Sequence, residues 1–524
     1  MKGMKYILIL LVLLQFSCID DKSKFGDIAV DEITIEGIDK YKEIEIGTNL
    51  KIQPTVTTKF GEKSQLSYVW YKYGKNQLMA DTLSYEKNLD VPIGDVLPGV
   101  TTNLVYKVTD VQTGVFATNK STFTTIGKYS SGTLILCSTD GKKDLAMLKQ
   151  DGKMLYENIY SLANDGTMLG ENSKRIILTD SYLPNPAGHK SVIVTCDDET
   201  GGVYLDPVIF TKKNTMREKF VLGNELEGNI VITGYTAHAT GDFLIANGKV
   251  YNRTNSDGSK VDWNNPEIMF LSSPKDYYVA SATGYTTDLT FYDNLHNRFM
   301  INKKETGYFS FIMGTDYDFS AFDPSNMGEG VELVIMGGQH PWRVDYSYAL
   351  MKDTKKDQYL LIKCKTGFNS SWKTIFIAES KKVLDPGSYP HLYGASNFVA
   401  GNSILFDNTA PWDNYVLGVP NMFFYLKDNK VYAFNVETSS EGVLIDGDSE
   451  NYTITGLSCT GMGDPNSDDT FTRITLAIKD RSLSSRQGGI AVYRLGDLGG
   501  VTAQKMYAKA GFCDEVLYTV EKQN

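Results

Sequence analysis

The sequence predicts an all-β protein, a small β-sandwich followed by a β-propeller in which seven blades are favoured. Three observations predict it. Residues 28–127 hold short stretches in which polar and apolar side chains alternate. Residues 128–524 hold a strand–turn–strand unit that recurs along the chain, and no long amphipathic helix interrupts the series. Composition fits large folded cores: 42% of the 524 residues are apolar and 12% aromatic, which excludes the disordered class.

At the N-terminus, Lys2 and Lys5 give a positive start to an apolar run over residues 6–16. The run is shorter than the roughly 18 residues that a permanent membrane helix needs. It reads instead as a secretory signal over residues 1–17. The run ends in Leu14-Gln15-Phe16-Ser17-Cys18. This resembles the bacterial lipobox, in which a small residue precedes a cysteine that is lipidated and becomes the first residue of the mature chain. The usual leucine three places before the cysteine is here Gln15. The resemblance implies a lipid on Cys18 and a tether over residues 18–27. Asp20 and Asp21 follow directly, similar to the acidic signal that sends lipoproteins of Bacteroidetes to the cell surface, although a plain solvated tether has the same composition.

Residues 28–127 are of sandwich size, about 100 residues. Glu32-Ile33-Thr34-Ile35-Glu36, Leu66-Ser67-Tyr68-Val69-Trp70-Tyr71, residues 104–110 and Thr122-Phe123-Thr124-Thr125-Ile126 all alternate as half-buried strands do. Trp70 is the expected buried tryptophan of a middle strand, and the absence of cysteine from this stretch excludes a disulfide-pinned immunoglobulin domain. Tyr68-Val69-Trp70-Tyr71, together with Tyr106-Lys107-Val108-Thr109-Asp110, resembles the PKD-like domain of polycystin and bacterial surface proteins.

Beyond residue 128 the repeat takes over. Leu148-Lys149-Gln150-Asp151-Gly152-Lys153-Met154-Leu155-Tyr156 is echoed by Leu244-Ile245-Ala246-Asn247-Gly248-Lys249-Val250-Tyr251 and by Tyr425-Leu426-Lys427-Asp428-Asn429-Lys430-Val431-Tyr432. Each is a strand, a two-residue turn and a second strand that opens with Lys; such turns need positive φ at both central residues, which Asn, Asp and Gly tolerate. Looser copies place turns near 151, 201, 247, 296, 355, 428 and 488, seven in all. The first spacings, about 46 to 50 residues, suit four strands per blade. One helical turn is expected, over residues 158–162, and long loops in the later blades.

The order of lipobox cysteine, PKD-like domain and propeller resembles the PKD-like family lipoproteins of Bacteroidetes. Ser131-Gly132-Thr133-Leu134-Ile135-Leu136-Cys137-Ser138, leading to Leu145-Ala146-Met147-Leu148, is similar to the first propeller blade of that family. The resemblance implies an outer-membrane lipoprotein that works beside a SusC-like TonB-dependent transporter and a SusD-like lipoprotein in the import of oligosaccharides or peptides.

A charge of −11 with no basic run argues against nucleic acid or an anionic lipid surface as partner. The five cysteines after Cys18 are scattered and contain no C-x-x-C pair, so they are expected to pack as small apolar groups. None of the five histidines stands in a helix-borne metal pair, and no G-x-S-x-G elbow or sialidase-type Asp box occurs. Paired acids brought together by folding are not readable from sequence, so a surface hydrolase stands as the alternative to a binding protein, beside an adhesin or spacer. No cofactor is expected. Asp464, Asn466 and Asp468 offer alternate oxygen ligands for a hard cation but lack the glycine and distal glutamate of an EF-hand; Asp316-Tyr317-Asp318 and Asp446-Gly447-Asp448 are weaker versions. For a ligand, Gln339-His340-Pro341-Trp342 and Ala410-Pro411-Trp412-Asp413 share a Pro-Trp pair, with Tyr389-Pro390-His391-Leu392-Tyr393 between them in sequence. Trp342, Trp412, His340, Tyr389, His391 and Tyr393 are therefore the candidate ligand-binding residues, able to stack on a sugar or grip a peptide if the three segments meet at one end of the propeller. Aromatic plugs between blades are the competing use.

Overall fold

The computed structural model describes residues 32–46, 48–61, 64–74, 80–93, 101–179, 191–220, 223, 226–238, 241–254, 276–279, 290–303, 308–311, 317–338, 345–368, 374–401, 404–406, 415–417, 421–462, 471–496 and 502–522. It is all-β, and it divides into two compact units, residues 1–126 and 127–524.

In the first unit a five-stranded sheet runs in the order Tyr41–Glu45, Phe116–Ile126, Thr101–Asp110, Leu66–Gly74, Asp81–Ser84. Its first pair is parallel and the rest antiparallel. Two short antiparallel pairs, Ile33–Glu36 with Thr55–Thr58 and Asn49–Ile52 with Leu89–Pro92, complete the unit. Alternation along the strands sends Leu104, Tyr106 and Val108 into a core with Ile44, Leu50, Leu89 and Phe123. At its centre the Trp70 ring stacks on Tyr106 at 4.1 Å, and the indole Nε1 donates to the carbonyl of Glu86 at 3.1 Å. That bond satisfies the one polar atom of a fully buried ring.

Among the described residues the second unit holds seven sheets of three or more strands, and a two-stranded hairpin, Ile404–Phe406 with Tyr415–Leu417. The second sheet runs Ser173–Thr179, Ser191–Cys196, Gly202–Leu205, Lys212–Thr215, each strand paired with the next. The sixth (Ser396–Ala400, Met422–Lys427, Lys430–Asn435, Ser440–Asp446) and the seventh (Tyr452–Met462, Phe471–Asp480, Gly488–Leu495, Ala503–Cys513) repeat that meander. The fifth does so over Val331–Gly338, Asp345–Asp353, Gln358–Phe368 and Thr374–Leu384, with Tyr317–Asp318 added at its edge. The third shows Ile232–His238, Gly241–Ala246 and Lys249–Thr254, and the fourth Thr290–Asp293, Arg298–Lys303 and Tyr308–Phe311. The first sheet takes a strand from the far end of the chain. Gly132–Thr139, Lys142–Leu148 and Leu155–Tyr156 are joined by the last strand of the protein, Glu515–Lys522, which pairs antiparallel with Gly132–Thr139.

Central strands read as unbroken apolar runs because both of their faces are buried. In the first sheet Leu134 and Leu136 point to a core shared with Ile176, Val192 and Val194 of the second. Their neighbours Ile135 and Cys137 point to a core shared with Ile490, Val492 and Phe512 of the seventh. In the sixth sheet Phe423 and Tyr425 face the fifth, whereas Met422, Phe424 and Leu426 face the seventh. The second and third sheets share a core around Ile193 and Leu244, the third and fourth one around Phe243 and Phe291, and the fourth and fifth one around Phe299 and Phe376. Each sheet thus packs on the next, and the seventh packs on the first.

The tight turns carry the backbone the sequence asks for. Asn247 and Gly248 sit at φ 50° and 73°, and Asp428 and Asn429 at 48° and 59°. One motif falls elsewhere than expected. The Asp151-Gly152 turn joins the third strand of the first sheet to its fourth, while the turn equivalent to the other six is Asp140-Gly141, with φ 51° and 73°. The short helix appears as Ile159–Ala163. Asp144, 3% exposed, holds its N-terminus: the carboxylate accepts from the backbone N–H groups of Tyr160 (2.9 Å) and Ser161 (3.3 Å).

The closing seam differs from the others in carrying a buried ion pair. Arg473 of the seventh sheet meets Glu521 of the C-terminal strand at 3.1 Å, with side chains 3% and 2% exposed. Thr133 donates to the other carboxylate oxygen of Glu521, and Lys522 Nζ donates to Ser130 O at 2.9 Å. Removing one partner of such a pair strands a buried charge, at a cost of about 3–5 kcal/mol. Glu521→Ala is therefore predicted to lower stability by about that amount in urea unfolding, far more than an exposed substitution such as Glu329→Ala, where the about 0–1 kcal/mol of a surface pair is at stake.

The buried thiols set the response to alkali. Burial raises Cys364 to about 12 and Cys196 to about 11, the latter also through a hydrogen bond to the Asp198 carboxylate. A group whose pKa is raised on folding contributes stability that is complete below its unfolded pKa, here 9.0, and is lost as pH climbs towards the folded value. Lys522, lowered to about 8 by burial, works in the opposite sense but is one group. The urea midpoint is predicted to fall between about pH 9 and about pH 11, and to fall less steeply in a Cys196→Ala/Cys364→Ala variant. A midpoint that rises over that interval contradicts the assignment.

Candidate functional site

Several candidate residues lie outside the described residues: Cys18, His340, Trp342, Trp412, Asp464, Asn466 and Asp468. The strands that bracket them fix which strand ends they connect. Residues 339–344 join the first strand of the fifth sheet to its second, and residues 463–470 do the same in the seventh. Residues 407–414 fall within the corresponding connection of the sixth sheet, inside a small hairpin of Ile404–Phe406 and Tyr415–Leu417.

Tyr389, His391 and Tyr393 are described, and they lie in a different kind of connection, from the fourth strand of the fifth sheet (Thr374–Leu384) to the first of the sixth (Ser396–Ala400). In an antiparallel meander successive connections alternate between the two ends of the strands. First-to-second connections open at one end, and the connection bearing Tyr389 to Tyr393 opens at the other. The expectation that all three segments meet at one end is corrected by this strand order.

The side chains of that segment are spent on the seam between the fifth and sixth sheets. Tyr389, 9% exposed, packs its ring edge-on against Phe434 at 5.9 Å, and its hydroxyl accepts from Lys382 Nζ at 3.2 Å. Tyr393 packs edge-on against Tyr359 at 5.0 Å, and its hydroxyl donates to Leu384 O at 2.7 Å. Lys427 ties the segment down through the carbonyls of Pro390 and Tyr393. Of the three candidates His391 is the exposed one; its ring stacks on Tyr432 at 4.6 Å, and Tyr432 in turn on Tyr425 at 5.6 Å. The Tyr425 hydroxyl donates to Glu441, which with burial holds its pKa well above the usual phenol range. Tyr389 and Tyr393 are thus aromatic plugs between sheets, and His391 caps the same stack from the solvent side.

The weaker acidic motif is also accounted for. Asp446 pairs with Lys430 at 2.8 Å, and Asp448 pairs with Arg481 at 2.8 Å while accepting from Asn429 at 2.7 Å. Both carboxylates are committed to cations and turns of the protein. A group of three or more metal-ligating side chains does not occur among the described residues.

A cavity of about 190 Å³ opens beside the Asp140-Gly141 turn, lined by Cys137, Asp140, Lys142, Asp144, Glu157 and Phe512 among others. Sites for drug-sized ligands run to about 300–1,000 Å³, so this one does not take an oligosaccharide or a peptide. Its most buried acid, Asp144, already accepts three backbone N–H groups, from Leu145, Tyr160 and Ser161. The turns at this end of the sheets are equally closed: Asp198, Asp353 and Asp480 each fold back onto backbone N–H groups two or three residues on. Asp293, fully buried, binds Arg298 Nε at 3.0 Å and His296 Nδ1 at 2.9 Å. Each of these carboxylates is already engaged by donors of the protein itself.

Comparison with known proteins adds the following. No curated protein matches the chain. Among solved structures, one described as a quinoprotein alcohol dehydrogenase-like protein from Bacteroides thetaiotaomicron is 10% identical, with a TM-score of 0.32 over 92% of this chain and 97% of that one. The PKD-like family matches residues 18–172, a span that takes in the described strands of the first unit and runs on through Gly132–Thr139 and Lys142–Leu148. Residues 18–172 therefore carry a PKD-like family domain.

Proposed function

We propose that this chain is an outer-membrane surface lipoprotein, anchored through Cys18, whose second unit is a seven-bladed β-propeller serving as a ligand-binding or docking platform beside a SusC-like transporter and a SusD-like lipoprotein. The anchor reading is carried by Cys18, which follows Ser17 at the end of the apolar run of residues 6–16 and precedes Asp20 and Asp21 in the sequence. The PKD-like domain follows the anchor in chain order. The propeller reading is supported by seven sheets whose cores link each to the next and the last to the first, and by a C-terminal strand that enters the first sheet. A propeller offers a rigid frame whose connections carry recognition, and in this one the Pro-Trp segments with Trp342 and Trp412 join first-to-second strands in neighbouring sheets. Oligosaccharide and peptide are both compatible with exposed tryptophan as the gripping group. A non-enzymatic role is preferred because the best-buried carboxylates, Asp144 and Asp293, are already engaged by the protein's own donors.

Two measurements test the reading. Mass spectrometry of the N-terminal peptide from native protein is expected to find Cys18 acylated and first in the chain, and Cys18→Ala is expected to move the protein from the membrane to the soluble fraction. An unmodified thiol at that position, or a mature chain that starts later, overturns the anchor. Affinity purification from detergent-solubilised outer membrane is expected to bring down a SusC/SusD-like pair; recovery of the protein alone removes the docking role.

A further inference from the structure

We infer that Cys137 and Cys513 form a disulfide that locks the seventh sheet to the first. Cys137 lies in Gly132–Thr139, the strand that receives the C-terminal strand, and Cys513 ends the last strand of the seventh sheet. Both are buried, at 7% and 0% exposure, in the single core shared by those two sheets. The backbone brackets them closely: Asp514 N donates to Ser138 O at 2.9 Å, so each cysteine is one residue from a shared main-chain hydrogen bond. Asp140 N donates to the Asp514 carboxylate at 2.7 Å and fixes the same corner. The neighbouring Cys137 thiol and burial hold the Cys513 thiol well above its usual range, and Cys137 Sγ also donates to Asp144 O at 3.6 Å. The Cys513 sulfur occupies the space above Gly488, where a Cβ would meet it at 2.6 Å, so a larger residue there would displace it. Cys364 lies in the core shared by the fourth and fifth sheets and Cys196 ends a strand of the second, so this pair stands apart from them.

The cavity described above reaches Cys137, which lines it together with Phe512, the neighbour of Cys513 in sequence. A small disulfide such as oxidised glutathione, or the exposed disulfide of an exported thiol oxidoreductase, is the oxidant class required. One cysteine, as thiolate, attacks the oxidant's disulfide to give a mixed disulfide; the second attacks that and expels the remaining thiol. Two S–H bonds are lost and one S–S bond forms, with the two electrons and two protons ending on the oxidant's two thiols. The cross-link would close a loop running from the first sheet through all seven, the long-loop case in which a disulfide restricts the unfolded chain most.

Occupancy in the cell rests on the export reading, because disulfides persist in oxidising compartments; the capacity to form does not. Purified, folded protein treated with oxidised glutathione, alkylated and digested should yield a peptide pair linked through Cys137 and Cys513, lighter by two hydrogens than the separate peptides. Its thermal midpoint should drop on addition of reductant, and that drop should vanish in Cys513→Ala, or in Cys137→Ser if the first variant fails to fold. Both thiols still open to alkylation only after unfolding, or a stable glutathione adduct on one of them, would overturn the pairing. Protein trapped directly from cells with the link in place supports both readings. A link that forms in the purified sample while the cellular sample keeps free thiols supports the pairing and counts against export.

Discussion

Everything in the second unit depends on one non-local ladder, the antiparallel pairing of Glu515–Lys522 with Gly132–Thr139. It joins the end of the unit to its beginning. Without it the first sheet loses an edge strand, and Ile135, Cys137, Ile490 and Val492 lose the neighbours that exclude water from them. Closing a loop of that length carries a large entropic cost, met only when the contacts form. The seam accordingly combines apolar burial with directional contacts. Arg473 with Glu521, Lys522 on Ser130 and Ser458 against Thr519 all act on the C-terminal strand. A buried ion pair of this kind is a poor source of net stability but penalises a slipped register, since a one-residue shift would turn Glu521 away from Arg473.

The first unit illustrates the same economy at smaller scale. Trp70 and Tyr106 are cross-strand partners in adjacent strands, and their stacking fills the middle of the sandwich core. The indole finds its acceptor in a turn rather than in the sheet, so the ladder hydrogen bonds stay intact.

Much of this was legible in the sequence. Turns predicted near 201, 247, 355, 428 and 488 each join the second and third strands of a sheet, and the one near 296 joins the first two described strands of the fourth; Asn, Asp or Gly takes the positive φ at all of them but the one near 488, where Arg486 does. The turn at Asp151-Gly152 carries the same residues for a different connection, and local chemistry does not distinguish one hairpin from another. The C-terminal strand was not legible as a closing strand. Glu515-Val516-Leu517-Tyr518-Thr519-Val520-Glu521-Lys522 reads as a strand, but nothing in it names a partner at the other end of the unit. Two of the candidate site residues read differently in the fold for a related reason. Tyr389 and Tyr393 have the composition of ligand-gripping residues, yet an aromatic plug in a seam has the same composition, and only the order of strands shows which end of the sheets they occupy.

The central claim is that the C-terminal strand ties the seventh sheet to the first. Hydrogen exchange on the full chain and on a form ending at Asp514 measures it directly. In the full chain the amides of Gly132–Thr139 should exchange as slowly as those of Phe471–Asp480, and in the shortened form both stretches should lose protection while Met422–Lys427 keeps most of its own. Unchanged protection at Gly132–Thr139 after removal of the strand would contradict the account.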